Sequence, residues 1–291
     1  MTLIAGPAAG GLLPGIVGRL AAVLSLHEPP DWLSRDVACD LILSEAVGGN
    51  AEAAAREAIG DGTIDVVVQP LAGRRKRVLV ADLESTIIEN EMLDELADFV
   101  GLRAHVAAIT RRAMNGELDF AAALTERVAL LKGLPVAVLD DAAARIRLMP
   151  GARALLATVR AAGTLTALVS GGFTVFAERI AAELGFDRVI ANRLDTADGR
   201  IAGTVAAPIA SRETKRETLL TLATECAVTP DATLAVGDGA NDLPMLDAAG
   251  LGIAFRAKPA VAAASRWRID HADLTALLYA QGYRQEEIVK Q

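Results

Sequence analysis

Val78-Leu79-Val80-Ala81-Asp82-Leu83-Glu84-Ser85-Thr86 is an apolar, β-branched run that ends abruptly in two acidic residues one position apart, followed by two hydroxyls. This layout sets carboxylates at the C-terminal end of a buried strand, where open α/β sheets place their ligands. Side chains alternate along a strand, so Asp82 and Glu84 share a face if the extended geometry persists. Two carboxylates aimed at one spot repel each other unless a cation or a shared proton compensates. A metal-assisted reaction is the first expectation.

Outward from this stretch, strand-like runs recur at 165–169, 188–190, 233–236 and 252–255. Helical stretches at 174–184 and 214–226 separate several of them, the βαβ alternation of a parallel sheet. Asp198-Gly199, between Arg193 and Val205, predicts a β-hairpin within the series. Between Glu91 and Arg147 no strand is expected. There, apolar residues recur at helical spacing through Met92, Leu93, Leu96 and Val100, and again from Phe120 to Leu131. The expected fold class is α/β, a Rossmann-like parallel sheet (74–88 and 150–291) with a helical cap inserted after its first strand (about 89–149). Residues 1–73 are expected to form a small N-terminal α/β module of order β-α-β-α-β, with strands at 2–5, 38–43 and 64–68 and helices at 16–26 and 51–59. That module offers no cluster of catalytic groups.

A chain of 291 residues can bury a large core, and 52% hydrophobic against 23% charged residues describes a folded protein. A formal net charge of −8 and an aromatic share of 3% exclude a nucleic-acid surface, which needs positive charge and stacking platforms. Arg74-Arg75-Lys76-Arg77 is the basic exception and reads as a solvated linker. Cys39 and Cys226 are too few and too distant for a disulfide framework or a metal site, and read as packed thiols. His27, His105 and His271 have no partners at ligand spacing. Residues 1–26 are apolar but lack a basic start, are broken by Gly and Pro, and carry Arg19, so no secretion signal is expected. No run reaches the roughly 18 uninterrupted apolar residues of a membrane span. A cytoplasmic protein without membrane or nucleic-acid partners is expected.

Two further strand ends carry chemistry. One runs into Ser170-Gly171-Gly172-Phe173 and the other into Gly237-Asp238-Gly239-Ala240-Asn241-Asp242, while Lys215 opens a helix between them. Amides released by Gly cradle phosphate oxygens. Asp82 and Asp238 suit Mg²⁺, which prefers oxygen ligands. Lys215 would neutralise remaining charge. Together they describe a phosphate held by metal, lysine and amides, with one carboxylate free to attack.

These elements resemble the motifs of the haloacid dehalogenase-like hydrolase superfamily and, within it, the phosphoserine phosphatase family. The resemblance covers about 78–278, with close matches at Glu91-Met92-Leu93-Asp94-Glu95-Leu96, Glu117-Leu118-Asp119-Phe120, Ser170-Gly171-Gly172-Phe173 and Gly237 to Met245. It implies Mg²⁺-dependent hydrolysis of O-phospho-L-serine, the last step of serine biosynthesis, with Asp82 as the nucleophile that forms an aspartyl-phosphate. Residue 84 would protonate the departing serine oxygen and then deprotonate water. Asp82, the backbone carbonyl of Glu84 and Asp238 would hold Mg²⁺, with Asp242 in support. Ser170, Gly171, Lys215 and Asn241 would face the phosphoryl group. Glu91 would meet the substrate ammonium and Arg127 its carboxylate, while Met114 and Phe120 wall the pocket.

The chain departs from the family at Glu84, where the pattern has Asp. Activity is expected, altered in rate or leaving-group preference, because one more methylene displaces the carboxyl. Two alternatives remain at this level: a phosphatase or phosphotransferase of the same fold acting on phosphothreonine or phosphohomoserine, and a weakly active amino-acid-sensing regulatory protein. The N-terminal module resembles amino-acid-binding ACT-like domains in segment order, which implies a homodimer or serine feedback.

Overall fold

The computed structural model describes residues 1–7, 10–12, 14–44, 51–60, 63–114 and 117–290; the side chain of Met114 lies outside that description. The N-terminal region holds β1 (Thr2–Ala5), α1 (Pro14–Val23), β2 (Asp31–Ser34), β3 (Ala38–Asp40), α2 (Ala51–Ile59) and β4 (Ile64–Val67). Its antiparallel sheet has the order β2-β3-β1-β4, a β-α-β-β-α-β unit. The predicted order lacked β2, whose Asp-Trp-Leu-Ser sequence carries only four residues of weak alternation.

The chain continues through β5 (Val78–Ala81), then α3 (Met92–Asp98), α4 (Arg103–Met114), α5 (Phe120–Ala129) and α6 (Val138–Ala143). Then come α7 (Ala152–Ala161), β6 (Leu165–Phe173), α8 (Thr174–Leu184), β7 (Arg188–Asn192) and the hairpin β8 (Leu194–Ala197) with β9 (Arg200–Val205). The C-terminal part holds α9 (Arg212–Glu225), β10 (Thr233–Gly237), α10 (Leu243–Ala248), β11 (Leu251–Phe255), α11 (Pro259–Ala264), β12 (Trp267–Ile269) and α12 (Ala276–Ala280). The second sheet has the order β12-β11-β10-β5-β6-β7, and every pairing in it is parallel. The short strand β12 lay outside the predicted set.

Alternation explains why β5 reads as a continuous apolar run. Leu79 and Ala81 join one buried cluster with Leu168, Val236, Ile253 and Phe176, while Val78 and Val80 join another with Leu219, Leu222 and Met245. Both faces are covered by helices, as a parallel sheet requires. The chain leaves β5 toward β6 on one side and returns to β10 on the other, so the crevice between the ends of β5 and β10 is a topological switch point.

The N-terminal sheet is also buried on both faces. Leu3, Cys39 and Val66 pack with Val17 and Leu20 of α1, whereas Ile4, Leu33, Ala38 and Val67 enter the same cluster as Leu79 and Phe255. Polar contacts reinforce the junction. Asp65 accepts from the backbone N–H groups of Asp270, His271 and Ala272, and Trp267 Nε1 donates to the Val68 carbonyl at 2.8 Å. With both its oxygens so engaged, Asp65 beside Asp270 and His271 is a structural clip.

The basic run is not a solvated linker. Arg74 pairs with buried Asp40 at 2.6 Å, Arg75 pairs with Glu287 and lies over the Tyr283 ring, and buried Lys76 donates to the carbonyls of Gly73 and Asp231. These cations join the N-terminal sheet to the C-terminal segment. Their charge made them look like a free surface; Arg74 and Arg75 instead hold carboxylates distant in sequence, and Lys76 is buried.

Among the described residues no helix is long and apolar enough to cross a membrane. Cys39 is fully buried and Cys226 half-buried. Burial, aided by the Asp40 charge, pushes the Cys39 thiol up to about 12, so it stays protonated and unreactive at pH 8. Native protein treated at pH 8 with an aromatic disulfide reagent is expected to titrate Cys226 alone, with Cys39 reacting only in denaturant; two fast thiols would contradict the packing.

Candidate active site

The β5 ladder continues to Asp82, whose N–H donates to the Val236 carbonyl at 3.0 Å, and the chain turns just beyond Glu84. The Leu83 carbonyl accepts from the N–H groups of Ile87 (2.8 Å) and Ile88 (2.9 Å), and Ser85 turns through a left-handed conformation at φ 57°. Leu79, Ala81 and Leu83 enter one buried cluster while Asp82 and Glu84 line the site, so alternation carries as far as Glu84 before the chain turns at Ser85. The two acidic residues line a narrow cavity of about 20 Å³ with Glu91, Leu93, Phe120, Leu124, Arg127, Gly171, Gly172, Phe173 and Asn241. That space is about what one water needs, so the cap is closed over the strand ends.

Charge compensation organises the floor. Lys215, in the first turn of α9, is 1% exposed; its Nζ lies 2.5 Å from Asp82 Oδ1 and 2.6 Å from Asp242 Oδ1. Ser211 caps that helix in a reciprocal capping box with Thr214, which fixes where the first turn begins. Asp242 Oδ2 accepts from the backbone N–H of Asp238 and of Gly239 at 3.1 and 2.9 Å. A Cβ on Gly237 would sit 2.4 Å from Asp242 Cγ, so only glycine lets that carboxylate fold under the loop. Burial alone would lower the Lys215 ammonium, yet the Asp242 and Asp82 carboxylates outweigh it and hold it above the ordinary lysine range. Burial pushes the Asp82 carboxyl upward, against the pull of Lys215.

Asp238 has its own cation, which the sequence reading missed. Lys258, at the start of α11, places Nζ 2.5 Å from Asp238 Oδ2, and its backbone N–H donates to the Asp238 carbonyl at 3.1 Å. Nothing in the local sequence Ala257-Lys258-Pro259 distinguishes this lysine from a surface one. Burial raises the Asp238 carboxyl while Lys258 opposes the rise. One carboxylate oxygen from each of Asp82, Asp238 and Asp242 lies within 4.8 Å of the others, an all-oxygen set suited to a hard divalent cation. Asp242 already has both oxygens engaged, so Asp82 and Asp238 are the better-placed ligands. Asn241 adds a buried Oδ1 with no hydrogen-bond partner among the described residues, an orphaned acceptor that fits a cation or its water.

The opposite wall is backbone. Pairing between β6 and β7 shifts register between Val169 and Phe173, freeing the Ser170-Gly171-Gly172 segment from the ladder. Ser170 is fully buried and its Oγ accepts from the Gly172 N–H at 2.8 Å. Asn192, at the end of β7, donates to the Gly171 carbonyl at 2.8 Å and accepts from Ala210 N–H at 2.7 Å. It thus ties the Gly-rich segment to the entry of the Lys215 helix. No local pattern marks Asn192, since its two partners meet only in the fold.

The cap supplies the roof. Glu84 Oε1 accepts from Met92 N–H, the first residue of α3, at 3.0 Å, so residue 84 touches both the floor and the cap. A Cβ on Gly172 would lie 2.7 Å from Glu84 Oε2; the longer side chain fits because that position is glycine. Burial raises the Glu84 carboxyl, opposed by the Met92 amide, Arg127 and Lys215. Glu91 accepts from Ser85 Oγ at 2.7 Å; burial and the Glu84 and Asp238 charges push its carboxyl well up. Arg127 is buried on α5, and Phe120 opens that helix against Gly171. Met114 ends α4, with its side chain outside the described residues. The β8–β9 hairpin supports the roof from below, where Gly133 N–H donates to the Ile201 carbonyl and Val136 N–H to that of Gly199.

A family model for haloacid dehalogenase-like hydrolases matches residues 79–247. The chain belongs to the haloacid dehalogenase-like hydrolase family. Within this family it is similar to a phosphoserine phosphatase of Mycobacterium tuberculosis, 45% identical over 227 residues, which cover 77% of this chain and 56% of that protein. The chain spans about half the length of the first curated relatives it matches. Among solved structures, a phospho-aspartyl intermediate analogue of a phosphoserine phosphatase superposes with a TM-score of 0.68 at 38% identity, over 70% of this chain and 98% of that one. A haloacid dehalogenase-family hydrolase from Salmonella enterica serovar Typhi superposes over 96% of both chains, with a TM-score of 0.84 and 31% identity, N-terminal sheet included.

Lys258 offsets the charge of one of three buried carboxylates gathered at the strand ends. Replacing it by Met (Lys258→Met) is expected to lower Tm in EDTA by on the order of 5 °C and to enlarge the gain in Tm when a divalent cation is added. Thermal scans with and without the cation check this; an unchanged gain would show that Lys258 does not oppose cation binding.

Proposed function

We propose that this chain hydrolyses O-phospho-L-serine to L-serine and phosphate. The observation that carries the reading is that Arg127 and Glu91 line the same small cavity as Asp82, a guanidinium and a carboxyl beside a carboxylate aimed at a phosphoryl position. An α-amino acid brings the complementary pair, a carboxylate for Arg127 and an ammonium for Glu91. The names of the similar proteins point to the same substrate.

Asp82 attacks phosphorus while the bond to the serine oxygen breaks, and Glu84 delivers its proton to that oxygen. Glu84, now ionised, takes a proton from water, whose oxygen attacks the aspartyl-phosphate and returns Asp82 and inorganic phosphate. The upward push of burial on Glu84 favours the protonated form that the first step uses. Lys215 and the amides of Ser170 to Gly172 hold the phosphoryl oxygens, with Asn241 at their edge. Mg²⁺ is the proposed cofactor, held by Asp82, Asp238 and the backbone carbonyl of Glu84 with Asp242 in support. When bound it supplies positive charge that polarises a phosphoryl oxygen and offsets the repulsion between two anions.

The cavity is too small for the amino acid in the closed form, so residues 89–149 act as a cap that opens to admit substrate and closes to exclude water. Residues 1–73 are proposed as a second unit beside the phosphatase unit 74–291, with a homodimer as the proposed assembly; comparing the solution mass of the full chain with the monomer mass tests the latter.

Phosphate release from O-phospho-L-serine, with Mg²⁺ and with EDTA, tests the reading. Asp82→Asn is expected to reduce kcat by more than about 10³-fold. Glu84→Gln is expected to cost about 10²–10⁴-fold in kcat with little change in KM, whereas Glu84→Asp keeps turnover. No release above the Asp82→Asn blank from folded, Mg²⁺-supplied protein would refute the assignment.

A further inference from the structure

Arg127 reaches the cavity through a support that the catalytic motifs do not include. Its Nε donates to the Ala123 carbonyl of its own helix at 3.0 Å, and its Nη1 donates to Thr110 Oγ1, on α4, at 2.9 Å. Thr110 is 4% exposed, and its Oγ1 lies 2.9 Å from Asp94 Oδ1 on α3 and 3.1 Å from the Val106 carbonyl. A hydroxyl has one proton and two acceptor sites. The carboxylate is the stronger acceptor, so the proton goes to Asp94 and a lone pair faces Arg127. One hydroxyl therefore links α3, α4 and α5.

The spacing matters as much as the link. Asp94 is an anion near a buried guanidinium, and direct contact would tie up the fork in an internal ion pair. Among the described residues no carboxylate is ion-paired with Arg127; Thr110 stands between it and Asp94, while Glu84 and Glu91, whose charges act on it more strongly, face it across the cavity. The described hydrogen bonds engage two of the five donors of the fork, leaving the rest for an incoming carboxylate.

We propose that Thr110 is a positioning residue for substrate selection: it fixes the Arg127 guanidinium and keeps Asp94 off it, so that the arginine stays free for a substrate carboxylate. This rests on the phosphoserine reading above. Thr110 does not touch the phosphoryl group or the groups that transfer protons, so its influence belongs in KM for carboxylate-bearing substrates.

The test compares O-phospho-L-serine with O-phosphoethanolamine, which keeps the phosphate and the ammonium but lacks the carboxylate. The unaltered protein prefers phosphoserine. Thr110→Val, which keeps the shape and removes the hydroxyl, is expected to shrink that preference about tenfold, equivalent to one charge-assisted hydrogen bond, through KM with kcat held. Thr110→Ser restores the preference to within about twofold, and Thr110→Val adds nothing once Arg127→Met is present. Equal losses on both substrates, or a loss that persists beside Arg127→Met, would overturn the positioning role. A preference unchanged in Thr110→Val would do the same. An unaltered protein with no preference would overturn the phosphoserine reading itself, and this proposal with it.

Discussion

The Lys215 ammonium, shared between Asp82 and Asp242, is the constraint around which the catalytic end of the sheet is arranged. Three carboxylates gathered in a buried crevice are strongly destabilising unless cations oppose them. Lys215 meets that need from α9 and Lys258 meets it from α11. Each lysine reaches its partners only because the helix that carries it starts at a defined point, set by the Ser211 cap in one case and by the turn after β11 in the other. Removing a carboxylate or a lysine would therefore change both the local charge and the alignment of a helix with the sheet.

Glu84 connects this floor to the cap. Its carboxyl accepts from the first amide of α3, the helix that follows Glu91, so the proposed proton carrier also holds the roof in place. An extra methylene relative to Asp is accommodated by the missing side chain at Gly172. In the proposed cycle cap closure and proton-carrier alignment are one event, since the same hydrogen bond reports both.

The N-terminal sheet is joined to the catalytic sheet by buried side chains as well as by ion pairs. Ile4, Leu33 and Val67 share a cluster with Leu79 and Phe255, and Asp65 collects three amides of the segment after β12. A surface this continuous gives the two sheets a common interior, so perturbing the clamp formed by Arg74 and Arg75 should be felt in both.

The sequence by itself determined the parallel sheet, the helical cap and most of the chemical groups. Continuous apolar strands, βαβ spacing and acidic strand ends are local patterns, and the positions of Asp82, Glu91, Arg127, Ser170, Lys215 and Asp238 followed from them and from the family motifs. Only the tertiary structure decided what depends on partners distant in the chain. Lys258 reads as an ordinary lysine until β11 and β10 lie side by side. Asn192 acquires its role when β7 ends beside the Gly-rich segment, and Thr110 when three cap helices meet. The run from Arg74 to Lys76 looked unpartnered because charge is visible in a sequence, while the carboxylates and carbonyls that engage it are not. Side-chain alternation set Asp82 and Glu84 on one side, but the turn closed on the Leu83 carbonyl, which brings Ser85 to Glu91, rests on backbone hydrogen bonds that periodicity does not encode.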